Sequence, residues 1–371
     1  PNYFQPKNYA ARRKSGYKGT EYAVAELVDN SIDAFATEVK IIFIEAKKEG
    51  NDFIEKIIIS DNGIGMDQKT TTMCLAFGSD TDAGKKNEKG RIGKFGEGLS
   101  NASLSQCTKF QVYSWEKDKP TYYHPFDLEE RMNAIDVSIP NIGEKDIPNL
   151  IKGVIEEINP SGTIVIWEDL DQLSYRRSST NIQHLQELLG RIYRYKLNDS
   201  LKIIFQSWVR QRDGQIRKEG SNVIAKPMDP LFLMENTVIS KDLAKEASKD
   251  LTESEYYKRF SISPTKSYPT SERLEDHCGK YKFVYNNVEY PYEIITSIAQ
   301  LDIQKPGIKA GGTTAIGRKY RNKEAEGNIY FVRGDRELDC GKFSRNSDSF
   351  YTYSEPHRWW TIEIKFDALM D

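Results

Sequence analysis

"ELVDNSIDA", Glu26 to Ala34, is the stretch on which the reading of this chain turns. Leu27, Val28 and Ile32 need burial, yet Glu26, Asp29, Asn30 and Asp33 are interleaved with them. Turned at about 100° per residue with Glu26 at zero, Asn30 falls near about 40° and Asp33 near about −20°. These three make one narrow polar stripe. Val24, Leu27, Val28, Ser31 and Phe35 fall between about 100° and 200°, on the opposite side. The pattern predicts an amphipathic helix from about Thr20 to Ala36, started by Gly19 and Thr20. A solvated stripe usually mixes in lysine and arginine for pairing one turn apart; this one has neither. A carboxylate and an amide carbonyl one turn apart suit hydrated Mg²⁺, which takes few protein oxygens and keeps its waters. A carboxylate left off the metal can act as general base towards water.

Working outward, "EVKIIFIEA" (38–46) and "FIEKIIIS" (53–60) are β-branched runs and read as strands. The second runs straight into "DNGIGM" (61–66), which places Asp61 at a strand end followed by Gly63 and Gly65. Most D-N-G sequences are ordinary turns. Alternating glycines also let the backbone approach a flat ligand, and Asp61 can accept from the exocyclic amine of a base. "KTTTMCLAFG" (69–78) has the pattern of a short helix, and 78–98 is a glycine-, lysine- and aspartate-rich loop. Its end, "GRIGKFGEGLS" (90–100), spaces Gly90, Gly93, Gly96 and Gly98 ahead of a helix, the arrangement of a phosphate cradle. It is neither G-x-G-x-x-G nor a P-loop, and "GSDTDAGKK" (78–86) misses the P-loop spacing. The two common nucleotide folds are therefore disfavoured.

Further strands are expected in "KFQVYSW" (109–115), "GTIVIWEDL" (162–170) and "LKIIFQSW" (201–208), and one helix in "NIQHLQELLGRIYRYKL" (181–197). From about Arg210 to Asp276 the pattern weakens, and a domain boundary is expected there. Aromatic, β-branched strands follow in 280–290, 327–338 and 358–366.

Bulk properties narrow the classes. A chain of 371 residues with 38% hydrophobic and 29% charged residues is a folded, two-domain-sized protein. A formal charge of −2 gives no chain-wide basic footprint for nucleic acid. Local basic runs (Arg12–Lys14, Arg176–Arg177, Gly317–Lys323) read first as solvated faces. No run is long and apolar enough for a membrane helix, and no signal peptide is visible. Cys74, Cys107, Cys278 and Cys340 are too scattered for a zinc site and fit reduced thiols, hence a cytoplasmic setting. His277–Cys278 reads as surface. The chain starts at Pro1 and stops just after a strand-like run, so a trimmed fragment is expected.

The three stretches in this order resemble the GHKL superfamily of ATPases, which includes gyrase, MutL, the large cytosolic heat-shock chaperone and MORC proteins. "ELVDNSIDA" matches its first motif, "DNGIGM" its second, "GRIGKFGEGLS" its third and "GTIVIWEDL" its fourth. "LAFGSDTD", "GRIGKFGEGLSNASL", "NIYFVRGDRELD" and "RWWTIEIKF" are closest to MORC, of prokaryotic type. The match is firm over about 20–170 and looser beyond. The resemblance implies an α+β chain: a two-layer, Bergerat-type ATP-binding domain over 1–220, then a smaller transducer-like α/β domain over 221–371, truncated at its end.

It also implies roles. Glu26 is the base, Asn30 holds Mg²⁺, and Asp61 accepts from the adenine amine. Gly63, Gly65 and Met66 shape the base pocket, and Thr163 supports the Asp61–base contact. Gly93, Lys94, Phe95, Gly96, Glu97 and Gly98 close over the phosphates as a lid. Asp33 is divided between the site and a structural helix–loop bond. In the family a transducer lysine reaches the terminal phosphate from a loop after the last strand; here the chain stops first, with Lys305, Lys309 and Lys319 as weak substitutes. ATP turnover is accordingly expected to be slow or absent. The implied partners are ATP, Mg²⁺, a second copy in an ATP-dependent homodimer and DNA, in DNA maintenance or phage defence, with no membrane role. Alternatives are a MutL-like repair ATPase, although "GKFGEGL" lacks the arginine of that lid, and a non-hydrolysing ATP sensor. A histidine kinase is disfavoured because no histidine sits in a helical hairpin.

Overall fold

The structure, a computed structural model, describes residues 2–3, 5–14, 16–48, 51–76, 98–234, 271–299, 328–341 and 360–367. It divides into two compact units, Pro1–Leu189 with Asp199–Ala225, and Gly190–Asn198 with Lys226–Asp371.

The first unit is built on β1 (Glu38–Lys48) and β2 (Asn51–Asp61). Ile41, Ile42, Phe43 and Ile44 are all buried, so both faces of β1 are covered, as a continuous apolar run requires. Around this pair lie β3 (Cys107–Trp115), β4 (Tyr122–Asp127), β5 (Gly162–Leu170), β6 (Lys202–Arg210) and β7 (Ile216–Ile224). The seven-stranded order is β4-β3-β5-β2-β1-β6-β7, with β1 and β6 parallel and the other neighbours antiparallel.

Helix α1 (Pro6–Lys14) precedes α2 (Thr20–Asp33), α3 (Gln68–Met73) and α4 (Gly98–Leu104). Helices α2 and α4 pack together, and the Trp167 indole of β5 donates to Ser103 Oγ of α4 at 2.8 Å. In register, Trp167 lies across from Ile57, Val165 from Ile59 and Thr163 from Asp61. Cross-strand partners share a face, so Asp61 and Thr163 share the helix-bearing face with Trp167. On the other face Ile42, Ile44, Ile58, Ile164 and Ile166 pack with Ile147, Ile151, Val154 and Ile155, a cover that includes the short helix α6 (Asn149–Ile155); α5 is Leu128–Asn133. The mixed α/β architecture anticipated from the sequence is present, with this added cover on the second face.

The second unit holds a six-stranded sheet made of β8 (Ser271–Arg273), β9 (Gly279–Tyr285), β10 (Val288–Ala299), β11 (Ile329–Arg333), β12 (Arg336–Gly341) and β13 (Trp360–Phe366). The order is β12-β11-β13-β10-β8, with β9 paired to β10.

Several local readings are corrected. Helix α2 ends at Asp33 rather than Ala36: Phe35 takes a φ of 59° and is 74% exposed. A left-handed residue cannot continue a helix, so Phe35 leaves the buried side assigned to it. The expected single helix over 181–197 is two, α7 (Ser178–Ile192) and α8 (Arg194–Asp199). The run 280–290 is a hairpin, since Asn286 and Asn287 both take positive φ between β9 and β10, as a tight two-residue turn demands.

Candidate active site

Asp61 ends β2 and is buried. Its Oδ1 accepts from the Gly63 amide at 2.9 Å and the Thr163 amide at 3.2 Å. Its Oδ2 accepts from the Ser31 hydroxyl of α2 at 3.1 Å. Burial pushes the carboxyl up to about 6, against the lowering pull of the Gly63 amide, the Ser31 hydroxyl and the Thr163 amide. A buried carboxylate at a strand end, held by three donors, is a fixed acceptor.

The turn beyond it is built for close approach. A Cβ on Gly63 would lie 2.7 Å from the Ala34 carbonyl oxygen, and the Ser161 hydroxyl donates to the Gly63 carbonyl at 2.8 Å. Gly65 has a φ of +74°, and a Cβ there would overlap the Trp115 carbonyl. The Met66 amide donates to Ser114 Oγ at 2.9 Å, tying the turn to β3. Asn62 points away, its Oδ1 capping the amides of Thr37 and Glu38.

Helix α2 serves two places. Ser31, about 140° round from Glu26, reaches Asp61. Glu26 faces α4: its Oε2 lies 3.0 Å from where a Cβ on Gly98 would sit. A side chain at 98 would press on that carboxylate and oblige it to shift. Asn30 is exposed and Asp33 half-buried on α2. Asp29, outside the predicted set, is buried. Ser100 of α4 is also buried, and its hydroxyl has no hydrogen-bond partner among the described residues.

The structure thus brings Asp61, Gly63, Gly65, Met66 and Thr163 into one cluster, and Glu26 and Gly98 into another, both along α2. Gly93, Lys94, Phe95, Gly96 and Glu97 lie outside the described residues, as do Lys305, Lys309 and Lys319. Sequence reasoning missed Ser31 and Ser114 as site residues. Ser31 stood inside the quoted motif on its apolar side. Ser114 had no signal at all, because a lone serine in a strand acquires a role only through register.

Among the described residues no three His, Cys, Asp or Glu side chains gather as a metal cluster. In the basic run at 12–14, two residues have internal roles: Arg12 donates to Asn101 at 2.7 Å, and Arg13 to the carbonyls of Leu104 and Cys107 at 2.9 and 2.8 Å. All four cysteines are free thiols. Among the described residues no helix is long and apolar enough to cross a membrane.

Residues 17–159 match the family model described as Histidine kinase-, DNA gyrase B-, and HSP90-like ATPase. Over that segment the chain is similar to the GHKL-type class of ATPases. Within it the chain is similar to MORC proteins. Protein MICRORCHIDIA 5 of Arabidopsis thaliana is 26% identical over 192 residues, covering 47% of this chain and 26% of the relative. ATPase MORC2 of Homo sapiens is 30% identical over 121 residues, covering 32% and 11%. ATPase morc-1 of Caenorhabditis elegans is 30% identical over 182 residues, covering 45% and 20%. The chain thus matches only a minor part of each relative's length. A solved structure titled "Crystal Structure of N terminal domain of a DNA repair protein" aligns at 17% identity with a TM-score of 0.48, covering 97% of this chain and 87% of that one.

Proposed function

We propose that the first unit binds ATP with Mg²⁺ and hydrolyses it, and that the nucleotide drives association of two copies. The observation that carries this reading is the Asp61 cluster: a buried acceptor at a strand end, beside a turn in which glycines at 63 and 65 leave no room for side chains. Such a site suits a flat base with an exocyclic amine. From there α2 leads to Asn30 and Glu26, and Glu26 adjoins the start of α4, where amide groups favour phosphate oxygens.

In the proposed reaction Glu26 accepts a proton from water as its oxygen attacks the terminal phosphorus; the bond to the bridging oxygen breaks and ADP and phosphate leave. Asn30 holds the Mg²⁺, which offsets phosphate charge when bound. Asp61 and Thr163 orient the base, and Asp33 steadies the end of α2. Residues 93–97, with Gly98, serve as the lid. The second unit acts as a transducer, and DNA is the partner on which the assembled dimer acts, in DNA maintenance or phage defence; ATPase names among the similar proteins support the first part of this reading.

The test is Glu26→Ala. ATP affinity should stay within a few-fold, while phosphate release falls by roughly a hundredfold or more, the range for losing a general base. Undiminished release removes Glu26 from the role. Dimerisation is read as particle mass with and without a non-hydrolysable analogue, and an unchanged mass sinks the association step. DNA binding should weaken steeply as salt rises.

A further inference from the structure

Ser114, Thr163 and Asp61 stand side by side across three adjacent strands, Ser114 opposite Thr163 and Thr163 opposite Asp61. Ser114 is fully buried, so it cannot touch a ligand itself, whereas Thr163 is partly open. The Ser114 oxygen has three neighbours at hydrogen-bond distance: the Met66 amide at 2.9 Å, the Gly162 carbonyl at 3.1 Å and the Thr163 hydroxyl at 2.9 Å.

A serine hydroxyl has one proton and two lone pairs. The Met66 N–H can only donate, and the Gly162 C=O can only accept. Ser114 therefore gives its proton to Gly162 and takes the Met66 proton on one lone pair. The second lone pair is left for Thr163, whose own proton is drawn inward, away from the pocket. What Thr163 offers outward is oxygen lone pairs, alongside the Asp61 carboxylate.

We propose that Ser114 is a positioning residue for base selection: by holding the Thr163 proton inward it makes the pocket wall all acceptor, which favours a 6-amino purine and rejects a 6-keto purine. This rests on the ATP reading of the site. A 6-keto oxygen brought to that wall meets only acceptors, and unpaired polar groups in a closed site are costly. Removing the Ser114 hydroxyl releases the Thr163 proton to turn outward and donate to the keto oxygen.

Adenosine and inosine triphosphates differ at this edge and are the probes, each titrated with Mg²⁺ into the full chain by calorimetry. The wild type should prefer ATP; in Ser114→Ala the ATP-to-ITP affinity ratio should fall by about tenfold, the worth of one hydrogen bond to a closed site. Thr163→Val should lower the ratio too, and adding Ser114→Ala to it should change the ratio no further. Equal weakening of both nucleotides in Ser114→Ala, which is what loosening the Met66 turn alone would give, overturns the proposal. So does a wild type that binds both alike, or a Thr163→Val ratio equal to the wild type, which decides the matter even if Ser114→Ala does not fold. A wild type that binds neither nucleotide instead removes the ATP reading itself.

Discussion

Burying Asp61 carries a cost that the folded protein bears. Its carboxyl rises to about 6 on burial, so the folded state holds this proton more tightly than the unfolded chain does. Stability therefore falls as pH rises from about 4 to about 6, and is level above that. Asp61→Asn keeps an acceptor for the Gly63 and Thr163 amides and removes the buried charge. It should raise the unfolding free energy of the apo protein by about 1–3 kcal/mol above pH 6, a gain that shrinks as pH falls towards 4. Denaturant melts at pH 5 and pH 8 check this; a variant less stable than wild type at pH 8 refutes it. At this scale Glu26, Asn30 and Asp61 stood out as candidates because polar residues in apolar runs demand a reason. The partners of Asp61 were not, since Ser31 and Thr163 lie 30 and 102 residues away in the chain.

At the scale of elements, the turn after β2 is the part most sensitive to a single atom. Gly65→Ala would need both a left-handed alanine and a Cβ inside the Trp115 carbonyl. Strain of this kind costs of order 1–3 kcal/mol before the clash is counted. Gly65→Ala should therefore lower stability by at least about 2 kcal/mol and weaken ATP binding, whereas Gly214→Ala, also at positive φ but with open space around it, should cost less and spare binding. Thermal melts of the two variants separate close approach from backbone strain. Elements were predicted where the period was strong, as in α2, β1, β2 and β5. They were missed where it was weak: β7 has mostly exposed side chains, so no alternation marks it, and it forms because β6 offers a ladder to pair with. The break between α7 and α8 is likewise invisible to an uninterrupted helical pattern.

On the scale of the whole molecule, the second unit is held by charge placed where water is absent. Arg194 is fully buried, donating to Glu337 at 2.6 Å and to Glu363 at 2.5 Å, and Arg191 meets Glu337 at 2.9 Å. The Tyr195 hydroxyl donates to Glu363 at 2.5 Å. Burial alone would lower the Arg194 pKa, but the Glu363 and Glu337 carboxylates raise it further, so it stays charged at any working pH. Arg194→Met leaves Glu363 buried with its hydroxyl partner alone and should cost about 3–5 kcal/mol. Adding Glu363→Gln should recover part of that loss, because the orphaned charge is gone. If the single variant melts like the wild type, the cluster is not what fastens Gly190–Asn198 within this unit.

The order of "ELVDNSIDA", "DNGIGM" and "GRIGKFGEGLS" was enough to point to the resemblance and to name the candidate residues, because each motif is contiguous and its physics is local: a helix period, a strand ending in a turn, a glycine-rich cradle. Sheet order, the far-side cover by Ile147–Ile155 and the Arg194 cluster depended on tertiary structure. So did the row of Ser114, Thr163 and Asp61. These features join residues far apart in sequence, and strand register, which no local pattern encodes across such distances, decides which side chains meet.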